Sequence, residues 1–325
     1  MRGVEQDCRD ARRGASLVFV IVVVATLVSL ALGAGVLARA RTRLSASASR
    51  RAALRIEARM ALFDALSALA ADTNGVTHLG ERWALDSAAA AEALAGGRNG
   101  TFVVVEDCLS RLPFPECGPR ALAALLTARA ALSGADAAGL AQSVFSKARE
   151  SGAQGALAAP EFLADLGPSP EARPALEAVV PLIDVHSEGK LNPNTAGRDV
   201  FVAAALGSGA EPGAAEGLWR RLERVRARGD FFASASPVEA VKLLRGEGDA
   251  LPEAEIAALR AIHPSLAMDS DVFRVRAVAR RGGTEVLCEC VWRRVGAAID
   301  GPDAAAGKAG GSDSASGVVL EWRER

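Results

Sequence analysis

Five cysteines, three histidines and a few clustered carboxylates are the side chains best able to do chemistry in this 325-residue chain. A nucleophile needs a base within reach, and a metal needs converging ligands. His78, His186 and His263 are scattered and share no metal-like spacing. Cys8 stands apart from Cys108, Cys117, Cys288 and Cys290, and the paired C-x-x-C spacing of a zinc site is missing. The stretch CLSRLPFPEC brackets a short interval between Cys108 and Cys117. A disulfide there suits a domain outside the cytosol; the alternative is that the four later thiols are buried or unpaired. Cys288 and Cys290, two apart in LCEC, would share one face of a strand and would not readily bond each other. Glu106, Asp107 and Glu116 cluster in sequence, as do Asp269 and Asp271. A calcium site needs about six to eight oxygen ligands, so these read as solvated carboxylates and no metal is assigned. GSGAEPG, from Gly207, misses the G-x-G-x-x-G spacing and follows no clear strand, so it reads as a loop. There is no G-x-S-x-G and no H-E-x-x-H. The residues point to no catalytic group, no cofactor and no enzyme.

Composition excludes more. The 38 basic and 39 acidic residues are well mixed and leave a net charge of −1. That gives no electrostatic reason to expect nucleic acid or a strongly charged substrate. With 10 Phe, 4 Trp and no Tyr, the core must come mainly from Leu, Val and Ala. Alanine at this level also favours helix.

The stretch RRGASLVFVIVVVATLVSLAL dominates the N-terminal region. Residues 15–38 carry no charge, and as a helix they reach about 36 Å, enough to cross a bilayer. They exceed the roughly 7–15 apolar residues of a signal-peptide core. Arginines lie both before the run and after it, at Arg39, Arg41 and Arg43, so charge alone orients the span weakly. The short polar stretch ahead of it argues for a cytoplasmic start and an external remainder. A plain signal anchor, or a signal peptide cut near LARA, shares this pattern.

The helix continues to about residue 71, with Ile56, Met60 and Phe63 at i, i+4, i+7, as are Leu62, Leu66 and Leu69. DTNG then ends it. TFVVVED reads as a strand. Short helices are expected at about 121–132, 136–149, 171–183, 195–206, 213–228, 237–245 and 252–262. DVFRVRAVAR and TEVLCECVWRRV, joined by RGG, form a hairpin signal. GPDAAAGKAGGSDSASG reads as a disordered loop, and VVLEWRER as a last strand. In GKLNPNTAGRDVFVAAAL, Asn194 or Thr195 can cap the helix that follows, and Asn192 can hold the turn before it.

Two resemblances organise these elements. A basic segment, Gly14, a small residue and a long apolar run resemble the class III leader cut by prepilin peptidase. The resemblance implies cleavage between Gly14 and Ala15 and N-methylation of Ala15. Mature position five, usually Glu, is Phe19 here. That departure is similar to the type II secretion K subunit, a minor pseudopilin. Leu191, Asn192, Asn194, Thr195, Ala196, Val200, Ala205 and Leu206 resemble that family's N-x-N-T-A-P…VL-x-AL signature, with Gly197 in place of the proline. LWRRLERVRARGDFF, SDVFRVRAVAR and the closing VVLEWRER resemble its later segments.

The resemblance implies an α+β, type IV pilin-like fold: a long N-terminal helix packed on a small antiparallel sheet, with a large all-helical, SAM-like or helix-hairpin-helix-like insertion. The implied parts are a leader at 1–14, a transmembrane half-helix at 15–38 and a periplasmic half-helix at 39–71. A first pilin-like part at 72–120, the insertion at 121–262 and a β region at 263–325 follow, with a disordered loop at about 301–317. The implied protein sits in the bacterial inner membrane and moves to the pseudopilus tip. There it is expected to seed assembly for protein export and to meet exported substrate or the secretin gate. Its implied partners are the type I and J minor pseudopilins, the major pseudopilin, prepilin peptidase and the inner-membrane assembly platform. Some members of the family bind calcium within the insertion. The competing readings are a membrane-anchored, competence-type DNA receptor with a helix-hairpin-helix module, or a minor pilin of a related type IV pilus. For the DNA reading, Glu211 and Glu216 would face the phosphates unfavourably.

Overall fold

The computed structural model describes residues 3–72, 75–150, 162–234, 236–246, 250–295 and 316–324, with side chains from Phe19 onward. It divides into two compact units, Met1–Ile56 and Glu57–Arg325. The first unit is helical throughout its described length, as part of α1 (Gly3–Ala71). Its apolar stretch is long and uncharged enough to cross a membrane, and none of that stretch is buried by protein.

The second unit begins inside α1 and ends with the sheet. Ala58, Leu62, Leu66 and Leu69 recur on one face of α1 and are buried. The other expected stripe is different: Ile56, Met60 and Phe63 are all more than half exposed. Helical periodicity finds both stripes but cannot say which one meets the sheet. α2 (Arg82–Ala95), an alanine-rich helix with no clear periodic stripe, was not expected from the sequence. It lies on β1 (Gly100–Asp107), where Ser87 accepts a hydrogen bond from Val105 N at 2.8 Å.

β2 (Leu112–Pro113) opens the insertion. The helices α3 (Gly118–Ala130), α4 (Gly134–Glu150), α5 (Phe162–Asp165), α6 (Arg173–Val179), α7 (Arg198–Gly207), α8 (Pro212–Ala227), α9 (Pro237–Arg245) and α10 (Glu253–Ile262) follow. All but α5 were expected, although α6 is much shorter than 171–183 because short 3₁₀ turns flank it. β3 (Ile183–Asp184) pairs in parallel with β2 and closes the start of the insertion against its middle. Leu122, Leu125, Leu126, Val200, Leu218 and Ile262 belong to one buried apolar cluster. Each buried leucine adds roughly 1.5–3 kcal/mol relative to exposure. Gly207 ends α7 where a Cβ would stand 2.6 Å from Ala121 Cβ, so glycine lets α7 and α3 approach closely.

The chain returns as β4 (Val272–Arg281), β5 (Thr284–Val295) and β6 (Ser316–Glu324). The antiparallel sheet has the order β1-β4-β5-β6, so the helices interrupt it between two adjacent strands. Gly282 and Gly283 both have positive φ, 55° and 75°, as a tight two-residue hairpin of this twist requires. A bulge at Val291/Trp292 shifts the β5–β6 register. Most of the loop expected at about 301–317 lies outside the described residues; its last two residues, Ser316 and Gly317, already belong to β6.

Candidate functional site

The signature stretch and the end of β1 converge on a buried polar junction. Asp107 ends an apolar strand and is almost fully buried, as is Asn192. Asn192 Nδ2 lies 3.2 Å from Asp107 Oδ2, 3.0 Å from the Thr77 carbonyl and 2.9 Å from Ser270 Oγ. Its Oδ1 accepts from Asn194 N at 2.8 Å, the expected turn. Thr195 donates to Asp107 Oδ2, and Leu109 N donates to Oδ1 at 2.8 Å. Burial pushes the Asp107 carboxyl up to about 6, against the pull of the Thr195, Ser270, Leu109 and Asn192 hydrogen bonds. Four stretches that are distant in sequence thus meet on one carboxylate and one amide.

Each neighbour of Asn192 fastens a further segment. Leu191 bridges to Leu266, with Leu191 N donating to Ser265 O at 2.8 Å and Ala267 N donating to Leu191 O at 2.9 Å. Asn194 does not cap α7. Its amide donates to the Phe232 carbonyl at 2.9 Å and accepts from Phe232 N at 2.8 Å, imitating a strand partner. Thr195 is drawn to Asp107 instead, and Gly197 is the N-cap residue, with no side-chain cap. Arg226 of α8 reaches the Ala196 carbonyl at 2.8 Å, contacts the Pro193 carbonyl and lies over the Trp219 ring at 5.2 Å. Burial lowers its guanidinium to about 10.

The other residues singled out in the sequence do not come together. Cys108 is buried in a small cluster with Leu109, Val272 and Val291, whereas Cys117 packs against the helical cluster. Both are free thiols, so the structure does not contain the disulfide considered for them. Burial raises the pKa of each. Cys288 and Cys290 are buried along β5, as their spacing implied. Glu106, Asp107 and Asp269 are partnered rather than solvated, whereas Glu116 and Asp271 are exposed, as expected. Glu106 pairs with Arg111 and Arg276, Asp269 with Thr77 and with Arg294 at 2.7 Å, and Asp271 lies 3.7 Å from Arg293. Among the described residues, no group of three or more His, Cys, Asp or Glu is placed to hold a metal ion. Glu216 is paired with Arg198, and Gly207 is committed to helix packing rather than to a phosphate-facing hairpin. Gly14 and Ala15 lie within α1, and Phe19 is exposed.

One apolar surface of the second unit remains open. Phe63 stacks on Trp322 with ring centroids 6.1 Å apart, and both stay well exposed. Met60, Val318 and Leu320 are exposed too, and β6 pairs only with β5 among the described residues. A cavity of about 720 Å³ lies between the end of α1, α2 and β1. On its wall, Glu81 accepts from His78 N and from Trp83 Nε1, while the His78 ring stacks on Phe231 at 4.3 Å.

Of the junction residues, the sequence flagged Asn192, Asn194 and Thr195 directly, and Asp107 only as a calcium candidate. Arg226, Phe232 and Ser270 lie in stretches that resemble the family's later segments but were not singled out there, and Thr77 carried no local signal, because nothing in these neighbourhoods marks a partner far along the chain.

No family model and no curated protein matches this sequence. Among solved structures, it resembles a chain of the GspK-GspI-GspJ complex from the type 2 secretion system of enterotoxigenic Escherichia coli. The TM-score is 0.56 at 14% identity, over 88% of this chain and 99% of that one. The likeness is one of fold, and it extends over nearly the whole chain.

Proposed function

We propose that this protein is a minor pseudopilin of a type II secretion system, cut between Gly14 and Ala15 and methylated on Ala15. Its apolar helix would hold it in the inner membrane, N-terminus inside, before it joins the pseudopilus tip. There it would seed assembly with partners like those in the GspK-GspI-GspJ complex, the major pseudopilin and the assembly platform. The observation that carries the reading is fold likeness over 88% of the chain, helical insertion included. The leader pattern, Phe19 at mature position five and the LNPNTA stretch agree with it. So does the distribution of chemistry: polar residues are locked in a junction, while Met60, Phe63 and Trp322 offer an apolar surface for another subunit. Such a role needs surfaces and a helix, and neither a catalytic group nor a cofactor.

The test is intact-mass analysis of the protein expressed with prepilin peptidase. A mature chain starting at methylated Ala15 is expected. A start at Met1, or beyond the LARA stretch, overturns the reading.

A further inference from the structure

The charges beside the apolar run conflict with the orientation just proposed. The fourteen residues ahead of the run carry four arginines and three carboxylates. After it come Arg39, Arg41, Arg43, Arg50, Arg51 and Arg55, and the first carboxylate is Glu57. Arginines near a span favour the cytoplasmic side, so the richer flank would end up on the disfavoured side. Something there must compensate for it.

Residues 39–53 of α1 are exposed, and Arg39, Arg41, Arg43, Arg50 and Arg51 make no ion pair among the described residues. Headgroup layers are about 5–8 Å thick on each side of a hydrocarbon core of about 30 Å. At about 1.5 Å per residue, Arg39 to Arg43 lie roughly 1.5–8 Å past Ala38, at headgroup depth. Arg50 lies about 18 Å out, beyond that layer. Direction separates a lipid from a protein partner. At about 100° per residue, Arg39 and Arg43 point to one side of the helix and Arg41 to nearly the opposite side. A neighbouring helix would be met by a stripe, whereas a ring of headgroups would be met by a collar.

We propose that Arg39, Arg41 and Arg43 form a collar that binds the phosphates of anionic phospholipids and fixes the depth of the helix in the membrane. The inference rests on the membrane-anchor part of the reading above and deepens it. Three unpaired guanidiniums suit phosphate because each presents several donors in a planar fork. Each should strengthen anionic lipid binding about fivefold, and all three on the order of a hundredfold.

The test is native mass spectrometry of the full chain in detergent, titrated with phosphatidylglycerol and with phosphatidylcholine of the same acyl chains. Wild-type protein should prefer phosphatidylglycerol. The triple variant R39Q/R41Q/R43Q should lose most of that preference, and R39K/R41K/R43K should keep most of it. These side chains are exposed, so urea unfolding of the second unit should not change in either variant. Equal binding of the two lipids by wild-type protein overturns the inference. So does a glutamine variant that keeps its lipid preference but no longer co-purifies with filament partners, because the arginines would then serve protein contacts. The parent reading fails separately. An uncut chain that still prefers phosphatidylglycerol sinks the pseudopilin and leaves the collar, and a methyl-Ala15 chain without the preference does the reverse.

Discussion

Replacing Asn192 by alanine should be among the most damaging single changes in the folded unit. The amide is fully buried, and it answers the Asn194 N–H at 2.8 Å and the Thr77 carbonyl at 3.0 Å. No other partner is described for either backbone group. Leaving a buried polar group unanswered costs about 1–3 kcal/mol, so two of them cost roughly 2–6 kcal/mol. Asp107 also loses one of its donors while remaining buried, which adds to the loss. Against a typical total stability of about 5–15 kcal/mol, that is a large fraction. Urea unfolding of the full chain in detergent should show a lower midpoint with an unchanged slope. Hydrogen exchange should speed up first at the Asn192 and Asn194 amides and later in the α7–α8 core. A loss below about 1 kcal/mol, or faster exchange spread evenly over the helices, would refute the view that this amide holds the junction.

Two further outcomes follow from individual side chains. Asp107 titrates near 6 in the fold instead of its ordinary 3.8, so the folded state holds its proton more tightly than the unfolded state does. As pH rises from 3.8 to about 6, this residue should lower stability by about 3 kcal/mol. Wild-type stability minus that of Asp107→Asn, measured by urea unfolding, should therefore fall over that window, and a flat difference would contradict the burial argument. Gly207→Val pushes side-chain atoms into the 2.6 Å gap to Ala121 and should cost about 1–3 kcal/mol by thermal or urea unfolding, whereas a neutral result would show that α3 and α7 can part cheaply.

Elements governed by local rules were legible in the sequence. The β4–β5 hairpin follows from alternating Val, Phe and Arg around two glycines, and both strands appear almost to the residue. The helices of the insertion follow from apolar periodicity and breakers. The choice between the Leu62 and Met60 stripes of α1 was not legible, since it depends on which face meets a sheet assembled from the far end of the chain. α2 was missed because alanine at half of its positions leaves no clear stripe to see. At the junction, Asn192 as a turn residue was legible because its bond to Asn194 N spans two residues. The cap role given to Asn194 and Thr195 failed for the opposite reason. Their partners, Phe232 and Asp107, lie 38 and 88 residues away, and a local rule cannot weigh such distant competitors.

The composition of the junction bears on what the LNPNTA stretch means. Apolar burial is non-directional and by itself favours no single orientation of one element on another. Hydrogen bonds tolerate only narrow distances and angles, so they fix one arrangement. The insertion has an apolar core of its own, yet it is fastened to the ends of β1 and β4 through Asn192, Thr195, Asp107 and Ser270. This arrangement sets the angle at which the helical insertion is held on a four-stranded sheet. Asn192, Asn194 and Thr195 are buried and could not touch a partner protein without the fold opening. A signature built from them therefore identifies how the insertion is mounted. Under the proposed function, the choice of partner falls to exposed residues such as Met60, Phe63 and Trp322.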